Sequence, residues 1–252
     1  MPVYFLEGNI GSGKTTLLKH IEEYVSPHAD TLARRNVKVH ILYEPVDIWQ
    51  SFGLLQRYYE NPARWGYTFQ NIAFITKMML LDKLSTEPNH YYIVERSPYS
   101  DRKCFAQTCY EKNHISPMEM TAYDLWYNHY MPEFEAKHRI GYIYLQTSVE
   151  DCMTRINTRR RTEEDGIPQE YVANIHDKHE VFMREANVLR TKCPSPINPL
   201  PNRNSKLDSV VIQGNSYSLE TITTPIDTVI HTILSDFDRH DSDHTYEDCV
   251  IR

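Results

Sequence analysis

The apolar positions of this chain fall into short continuous runs separated by longer stretches of helical spacing. "VYFLE" (Val3–Glu7) is almost wholly apolar and ends at a glycine-rich turn. Similar runs are "VKVHILYE" (Val37–Glu44), "YYIVER" (Tyr91–Arg96), "GYIYLQ" (Gly141–Gln146) and "SVVIQGN" (Ser209–Asn215). Short apolar runs bounded by turn residues predict buried strands. Between them, Thr15–Tyr24 places Leu17, Leu18 and Ile21 on one helical face. Helical patterns also cover Phe69–Leu84, Pro117–Ala136, Val149–Arg160, Pro168–Leu189 and Pro225–Phe237. Strands alternating with helices predict an α/β fold, a five-stranded parallel sheet with helices on both faces. Ligands of such sheets bind outside the carboxyl ends of the strands. Three of those ends carry chemistry: the glycine-rich turn, Glu44, and the pair Glu95 and Arg96.

Two segments depart from the alternation. "CPSPINPLPNRNSKLD" (Cys193–Asp208) holds four prolines and reads as an extended surface loop. The tail from Asp236 to Arg252 is polar and acidic and is expected to be mobile at its end. The expected organisation is one domain over residues 1–235, followed by that tail. The 252 residues carry a net charge of −7, which argues against a bulk nucleic-acid binder. No apolar run approaches the roughly 20 residues that cross a membrane. The N-terminus has no signal-like segment, and a cytoplasmic setting is expected. Five cysteines without a CxxC pair argue for reduced structural thiols. Two short histidine groups, "HDKHE" (His176–Glu180) and "HDSDH" (His240–His244), read as polar segments without a third metal ligand.

The turn after the first run fits GxxxxGK[ST] through Gly8, Gly13, Lys14 and Thr15. Its residues Gly8, Asn9, Ile10, Gly11, Ser12, Gly13, Lys14, Thr15 and Thr16 are the expected triphosphate site. Glycines let backbone N–H groups close around phosphate oxygens, and Lys14 adds a compact positive charge. The Thr15 hydroxyl suits Mg²⁺, and the following helix aims its positive end at the anion. A strand before the loop and a helix after it lend this match its specificity.

The acceptor is indicated by "YEPVDIW" (Tyr43–Trp49), "RWGYTFQ" (Arg64–Gln70), "ERSPYSDRKCFA" (Glu95–Ala106) and "RRRTEEDGIP" (Arg159–Pro168). In this order the segments closely resemble the deoxynucleoside kinase family, over about Val3 to Ile233. The resemblance implies a P-loop kinase fold and a homodimer. It implies transfer of the γ-phosphate of ATP, or another nucleoside triphosphate, to the 5′-hydroxyl of a deoxynucleoside. Glu44 then resembles the general base, Arg96 the group that steadies charge near the 5′ oxygen, and Glu95 a Mg²⁺ ligand beside Thr15. Arg159 and Arg161 resemble lid arginines on the phosphates, with Arg155 one helical turn before them. Glu164 and Tyr59 resemble the receivers of the sugar 3′-hydroxyl. Phe69 and Phe105 resemble the rings that sandwich the base, and Gln70 offers the donor and acceptor that pair with its edge. Val46, Trp49 and Leu55 complete the pocket, and Gln213–Asn215 is the expected adenine turn.

Positions matching Ala73, Lys77 and Asp101 influence base preference in the family. An ionised Asp101 only accepts, which favours the exocyclic amino group of cytosine or adenine over thymine. Lys77 stands where amino-base readers resemble an arginine, and a lysine is a flexible point charge without the planar fork. The expectation is deoxycytidine or purine deoxynucleosides over thymidine. Two other readings stand beside this one. A nucleoside monophosphate kinase needs a further arginine for the acceptor phosphate. A nucleotide-dependent switch protein predicts binding with little turnover, and no guanine-reading NKxD motif is evident. The homodimer is expected to pair through Phe69–Leu84 and Pro117–Ala136, with Met78, Met79, Leu80, Leu81, Trp126 and Tyr130 supplying apolar surface.

Overall fold

The structure is a computed structural model. It describes residues 1–25, 32, 36–85, 87, 89–164, 166–186, 188, 207, 209–214 and 229–231. Five strands form one sheet: β1 (Pro2–Glu7), β2 (Lys38–Leu42), β3 (His90–Glu95), β4 (Arg139–Gln146) and β5 (Val210–Gln213). Their order is β2-β3-β1-β4-β5, and every neighbouring pair is parallel. Each strand lies within two or so residues of the run that predicts it; β1 and β3 are buried along their whole length, where a continuous apolar run has only one way to sit in a covered sheet.

The two faces follow from the strand period of two. Val3 and Phe5 of β1 point into one core, and Tyr4 and Leu6 into the other. The second core is closed by α1 (Lys14–Val25), through Leu17, Leu18 and Ile21. The first is closed mainly by α4 (Pro62–Leu81), α6 (Pro117–Lys137) and α8 (Gln169–Glu185), with the short α2 (Val46–Ser51) and α3 (Leu54–Glu60) over the strand ends. The chain is thus an α/β protein with helices on both faces of a parallel sheet. The connection from β1 to β2 passes β3 and the connection from β3 to β4 passes β1 the other way, so a crevice opens at the carboxyl ends of these adjacent strands.

Two boundaries differ from the sequence expectation. α4 starts at Pro62, seven residues before Phe69. Asn61 caps it by accepting from the Arg64 N–H, and Pro62 occupies the first turn, where its missing N–H costs nothing. After β3 the chain forms α5, which runs through α-helical Pro98–Ser100, a wider π-helical stretch Asp101–Ala106, and α-helical Gln107–Glu111. Ser97 caps it by accepting from the Ser100 N–H. Beyond β4 lie α7 (Val149–Arg159) and a tight turn Thr162–Glu164 before α8.

Met78 and Leu81, expected on a free face, are buried in the first core, and Tyr130 packs against it. The apolar side chains left exposed on α4 and α6 are Ile75, Met79, Met118, Leu125 and Trp126. His179, read as part of a polar helix face, is fully buried. The proline-rich segment lies outside the described residues except Leu207. The acidic tail lies outside them altogether, and so does the helix expected at Pro225–Phe237 apart from residues 229–231. Among the described residues no helix is long and apolar enough to cross a membrane.

Candidate active site

β1 runs straight into the phosphate loop, and α1 starts at Lys14. Gly11 has φ +74°, and a Cβ there would lie 2.5 Å from the Cys152 carbonyl oxygen, so only glycine fits this approach to α7. Asn9 braces the loop by donating to the Val172 carbonyl of α8 (2.9 Å) and accepting from the Ile10 N–H (2.8 Å). Lys14 donates from Nζ to the carbonyls of Asn9 (2.7 Å) and Gly8 (3.1 Å). Burial, and next the Arg96 charge, pull the Lys14 ammonium down to about 7. It also reaches the Ser12 hydroxyl at 3.5 Å, and an ammonium held by neutral oxygens rather than a carboxylate is primed for an anion. The Thr15 hydroxyl donates to Glu95 Oε1 at 2.7 Å.

The strand ends bring the charged groups together. Arg96 follows β3 in the left-handed region, φ +59°, and its Nη1 donates to the Gly8 carbonyl at 3.1 Å. Glu44, two residues beyond β2, lies with Oε2 3.4 Å from Arg96 Nε and Oε1 3.5 Å from Lys77 Nζ. Burial pushes the Glu44 carboxyl up, but Arg96, Lys77 and Lys14 together outweigh it and hold it below the usual carboxylate range. Lys77 is fully buried and also donates to Asp101 Oδ1 at 2.7 Å. Despite that contact, burial keeps the Asp101 carboxyl up at about 6, and Oδ2 is buried without a hydrogen-bond partner among the described residues.

Next to these groups lies a cavity of about 430 Å³. Its apolar end is lined by Val46, Trp49, Leu55, Phe69, Ala73 and Phe105. Trp49 meets Phe69 edge-on, with centroids 5.5 Å apart, and donates its indole N–H to Thr76 (3.0 Å). The Arg96 guanidinium sits over the Phe105 ring, 4.6 Å from its centroid. Gln70 is buried at the cavity wall, and its only hydrogen-bond contact among the described residues is a long one to Cys109 Sγ, 3.8 Å. Most of its amide capacity is therefore unspent. At the mouth, Glu164 is clamped between Arg159 and Arg161 (3.1 Å to the latter), and burial raises the neighbouring Tyr59 hydroxyl.

The cavity brings together Ile10, Gly11, Gly13, Lys14, Thr15, Thr16, Glu44, Glu95, Arg96, Asp101, Tyr59, Gln70 and the lid residues with that apolar wall. Gly8, Asn9 and Ser12 belong to the loop without lining the cavity, and Lys77 reaches the site through Glu44 and Asp101. Arg155 does not line the cavity. It donates to the Ser12 and Gly214 carbonyls, both at 2.6 Å, and so holds the loop from behind. Of the adenine turn, Gln213 is exposed and donates to Gln146 (2.9 Å), while Asn215 lies outside the described residues. Sequence reasoning missed Tyr58 and Tyr171, which line the cavity and are hydrogen-bonded to each other at 3.0 Å. Tyr58 stacks on Phe69 at 4.7 Å. The "YY" at 58–59 was the available signal, since adjacent helical residues place one ring inward and one toward the mouth.

A phosphate loop at the switch point of a parallel sheet, opening on a slot for a flat ring, is the plan of a kinase that phosphorylates a small aromatic-ring substrate. The comparisons agree with that class. The family model described as deoxynucleoside kinase matches residues 5–235. Deoxycytidine kinase 2 of Gallus gallus is 33% identical over 204 residues, covering 71% of this chain and 73% of the relative. Deoxyguanosine kinase, mitochondrial, of Xenopus laevis is 32% identical over 200 residues, 71% of each chain. Deoxycytidine kinase of Homo sapiens is 36% identical over 191 residues, 71% of this chain and 74% of the relative. The chain belongs to the deoxynucleoside kinase family. It is an enzyme of nucleotide salvage that phosphorylates a deoxynucleoside at the expense of a nucleoside triphosphate.

Proposed function

We propose that the γ-phosphate of ATP passes to the 5′-hydroxyl of a deoxynucleoside, with Glu44 taking the hydroxyl proton. The observation that carries this reading is the Glu44 carboxylate, held by Arg96 and Lys77 at 3.4 and 3.5 Å between the phosphate loop and the aromatic slot. Cations on both oxygens keep it ionised, and the cavity beside it has room for the sugar. Arg96 also steadies the developing charge, as Lys14 does from the loop and Arg159 and Arg161 do from the mouth. Thr15 and Glu95 would hold Mg²⁺. Their hydroxyl and carboxylate oxygens, 2.7 Å apart, are the hard donors that ion takes, and it would neutralise triphosphate charge. Glu164, fixed by the two arginines, and Tyr59 receive the 3′-hydroxyl. Glu44→Gln is expected to bind ATP normally and lose about 10²–10⁴-fold in kcat, the loss expected for a missing general base. Near-normal turnover in that variant would remove Glu44 from the mechanism.

The substrate base is read as cytosine or a purine. The unpartnered Oδ2 of Asp101 is a buried acceptor that an exocyclic amino group would satisfy. A thymine carbonyl would face it acceptor to acceptor. The reading also includes a cytoplasmic homodimer, with Ile75 and Met79 of α4 packing against Met118, Leu125 and Trp126 of α6 across the twofold axis. Those five exposed apolar side chains support it.

A further inference from the structure

Next to the phosphate loop, but not lining the cavity, lies a buried polar pair that the proposed chemistry does not use. Glu7 ends β1, and His179 lies on α8; both side chains are fully buried. Glu7 Oε1 accepts from the Ser97 N–H at 2.9 Å and, by a shorter contact, from the Ser97 hydroxyl. Oε2 has no hydrogen-bond partner among the described residues, and neither has His179 Nε2, which faces it at 3.9 Å. His179 Nδ1 is 2.8 Å from the Ile175 carbonyl. A carbonyl only accepts, so Nδ1 must carry the hydrogen. Nε2 of the neutral ring is then a bare lone pair. Burial, and next the Arg96 charge, pull the imidazole down to about 3, which keeps the ring neutral. Tyr144 stacks on this ring with centroids 6.5 Å apart, and Phe105 meets it edge-on at 5.9 Å.

Two lone pairs facing each other in so dry a place would leave two buried acceptors unsatisfied. One hydrogen between them removes both deficits, and a small rotation of either side chain closes 3.9 Å to a hydrogen bond. We propose that a single hydrogen shared by Glu7 Oε2 and His179 Nε2 locks Glu7, and that Glu7 and His179 are thereby positioning residues for Arg96. The line of force is short. Locked by His179, Glu7 anchors Ser97 through two hydrogen bonds. Ser97 is the next residue after Arg96, whose left-handed backbone needs its flank held. Arg96 in turn donates to the Gly8 carbonyl, one residue past Glu7. Glu7 thus ties the end of β1 to the end of β3, where Arg96 and the phosphate loop must stay in register. His179 adds a second hold, because Phe105 lies between its ring and the Arg96 guanidinium.

The inference rests on the role given to Arg96 above, and the experiment separates the two. Glutamine at position 7 keeps an oxygen for Ser97 and supplies an N–H at the point where the shared hydrogen lies. Glutamine at 179 supplies an N–H toward Glu7. Leucine at either position supplies none. In the full chain, Glu7→Gln and His179→Gln are expected to keep kcat within about threefold of the parent. Glu7→Leu and His179→Leu are expected to lose about tenfold or more in kcat with KM for the deoxynucleoside little changed. Equal kcat in the glutamine and leucine variants at both positions would overturn the shared hydrogen. So would a tenfold loss in Glu7→Gln, which keeps the native pattern of contacts and decides the question if a leucine variant does not fold. Arg96→Ala, assayed alongside, identifies which idea fails. An intact kcat there overturns the role of Arg96 and this inference with it. A lowered kcat there with no rescue by glutamine overturns this inference alone.

Discussion

The two ends of the cavity are built on opposite plans. At the phosphate end the polar groups are bound to the protein itself: Lys14 to the loop carbonyls, Asn9 to α8, Arg155 to Ser12, Thr15 to Glu95. At the base end polar capacity is left open: Asp101 Oδ2 has no partner among the described residues, and Gln70 has one weak contact. The cradle of the first end is one continuous loop whose shape is set by backbone, braced by α7, α8 and the end of β3. The second is assembled from α2, α3, α4 and α5. A triphosphate looks alike whatever base it carries, so a rigid backbone cradle serves for it. A base must be told from three others, and that requires unsatisfied buried groups which only the right partner completes.

The phosphate end gives the largest expected effect. Lys14→Ala is expected to lower kcat by about 10²–10³-fold, the scale of removing one group that stabilises transferring charge. Deoxynucleoside binding, measured by calorimetry, is expected to persist. Loss of that binding together with turnover would mean that the two ends are not independent. At the base end, Asp101→Asn gives the site a donor as well as an acceptor. The ratio of kcat/KM for deoxycytidine over thymidine is expected to fall by about tenfold or more. An unchanged ratio would remove Asp101 from base reading.

The two ends also differ in their pH dependence. Asp101, with its carboxyl at about 6, is ionised above that pH and protonated below it. A proton there removes an acceptor, so KM for an amino-bearing deoxynucleoside is expected to rise about tenfold between pH 7 and pH 5. A flat KM over that range would contradict the assignment. Lys14, pulled down to about 7, is expected to be largely uncharged at pH 8 and to be recharged when a triphosphate binds. Binding at pH 8 is therefore expected to take up close to about one proton per site, and almost none at pH 6. Calorimetry in two buffers of different ionisation heat reads this directly, and no uptake at pH 8 would contradict it. The smallest expected effect on catalysis lies outside the cavity. Trp126→Glu is expected to shift sedimentation toward the 29.7 kDa protomer while leaving phosphate binding intact. A parent enzyme that sediments only as protomer would remove the dimer.

The same contrast governs what the sequence disclosed. The sheet was legible because β1 and β3 are buried along their whole length, and such strands must be continuous apolar runs. The phosphate loop was legible because its function is a spacing of glycines and a lysine within one segment. The start of α4 was missed although Asn61 and Pro62 announce it, because Gly66 and a run of aromatics blur the helical period. The π-helical stretch carrying Asp101 and Phe105 has no spacing rule of its own, and the two residues were placed only through family resemblance. Arg155 was assigned to phosphate by its distance from the lid, but a side chain's direction depends on tertiary neighbours, here the Ser12 and Gly214 carbonyls. Tyr171 stands far along the chain on α8, and nothing local connects it to a cavity.

The open base end is proposed to select a deoxynucleoside bearing an exocyclic amino group. Specificity constants for the four natural deoxynucleosides, measured side by side with ATP and Mg²⁺, test it most directly. Deoxycytidine or a purine deoxynucleoside is expected to lead, with thymidine at least about tenfold lower. A clear thymidine preference would show that Lys77 turns its charge toward a base carbonyl rather than toward Asp101, and the reading of the base end would be wrong.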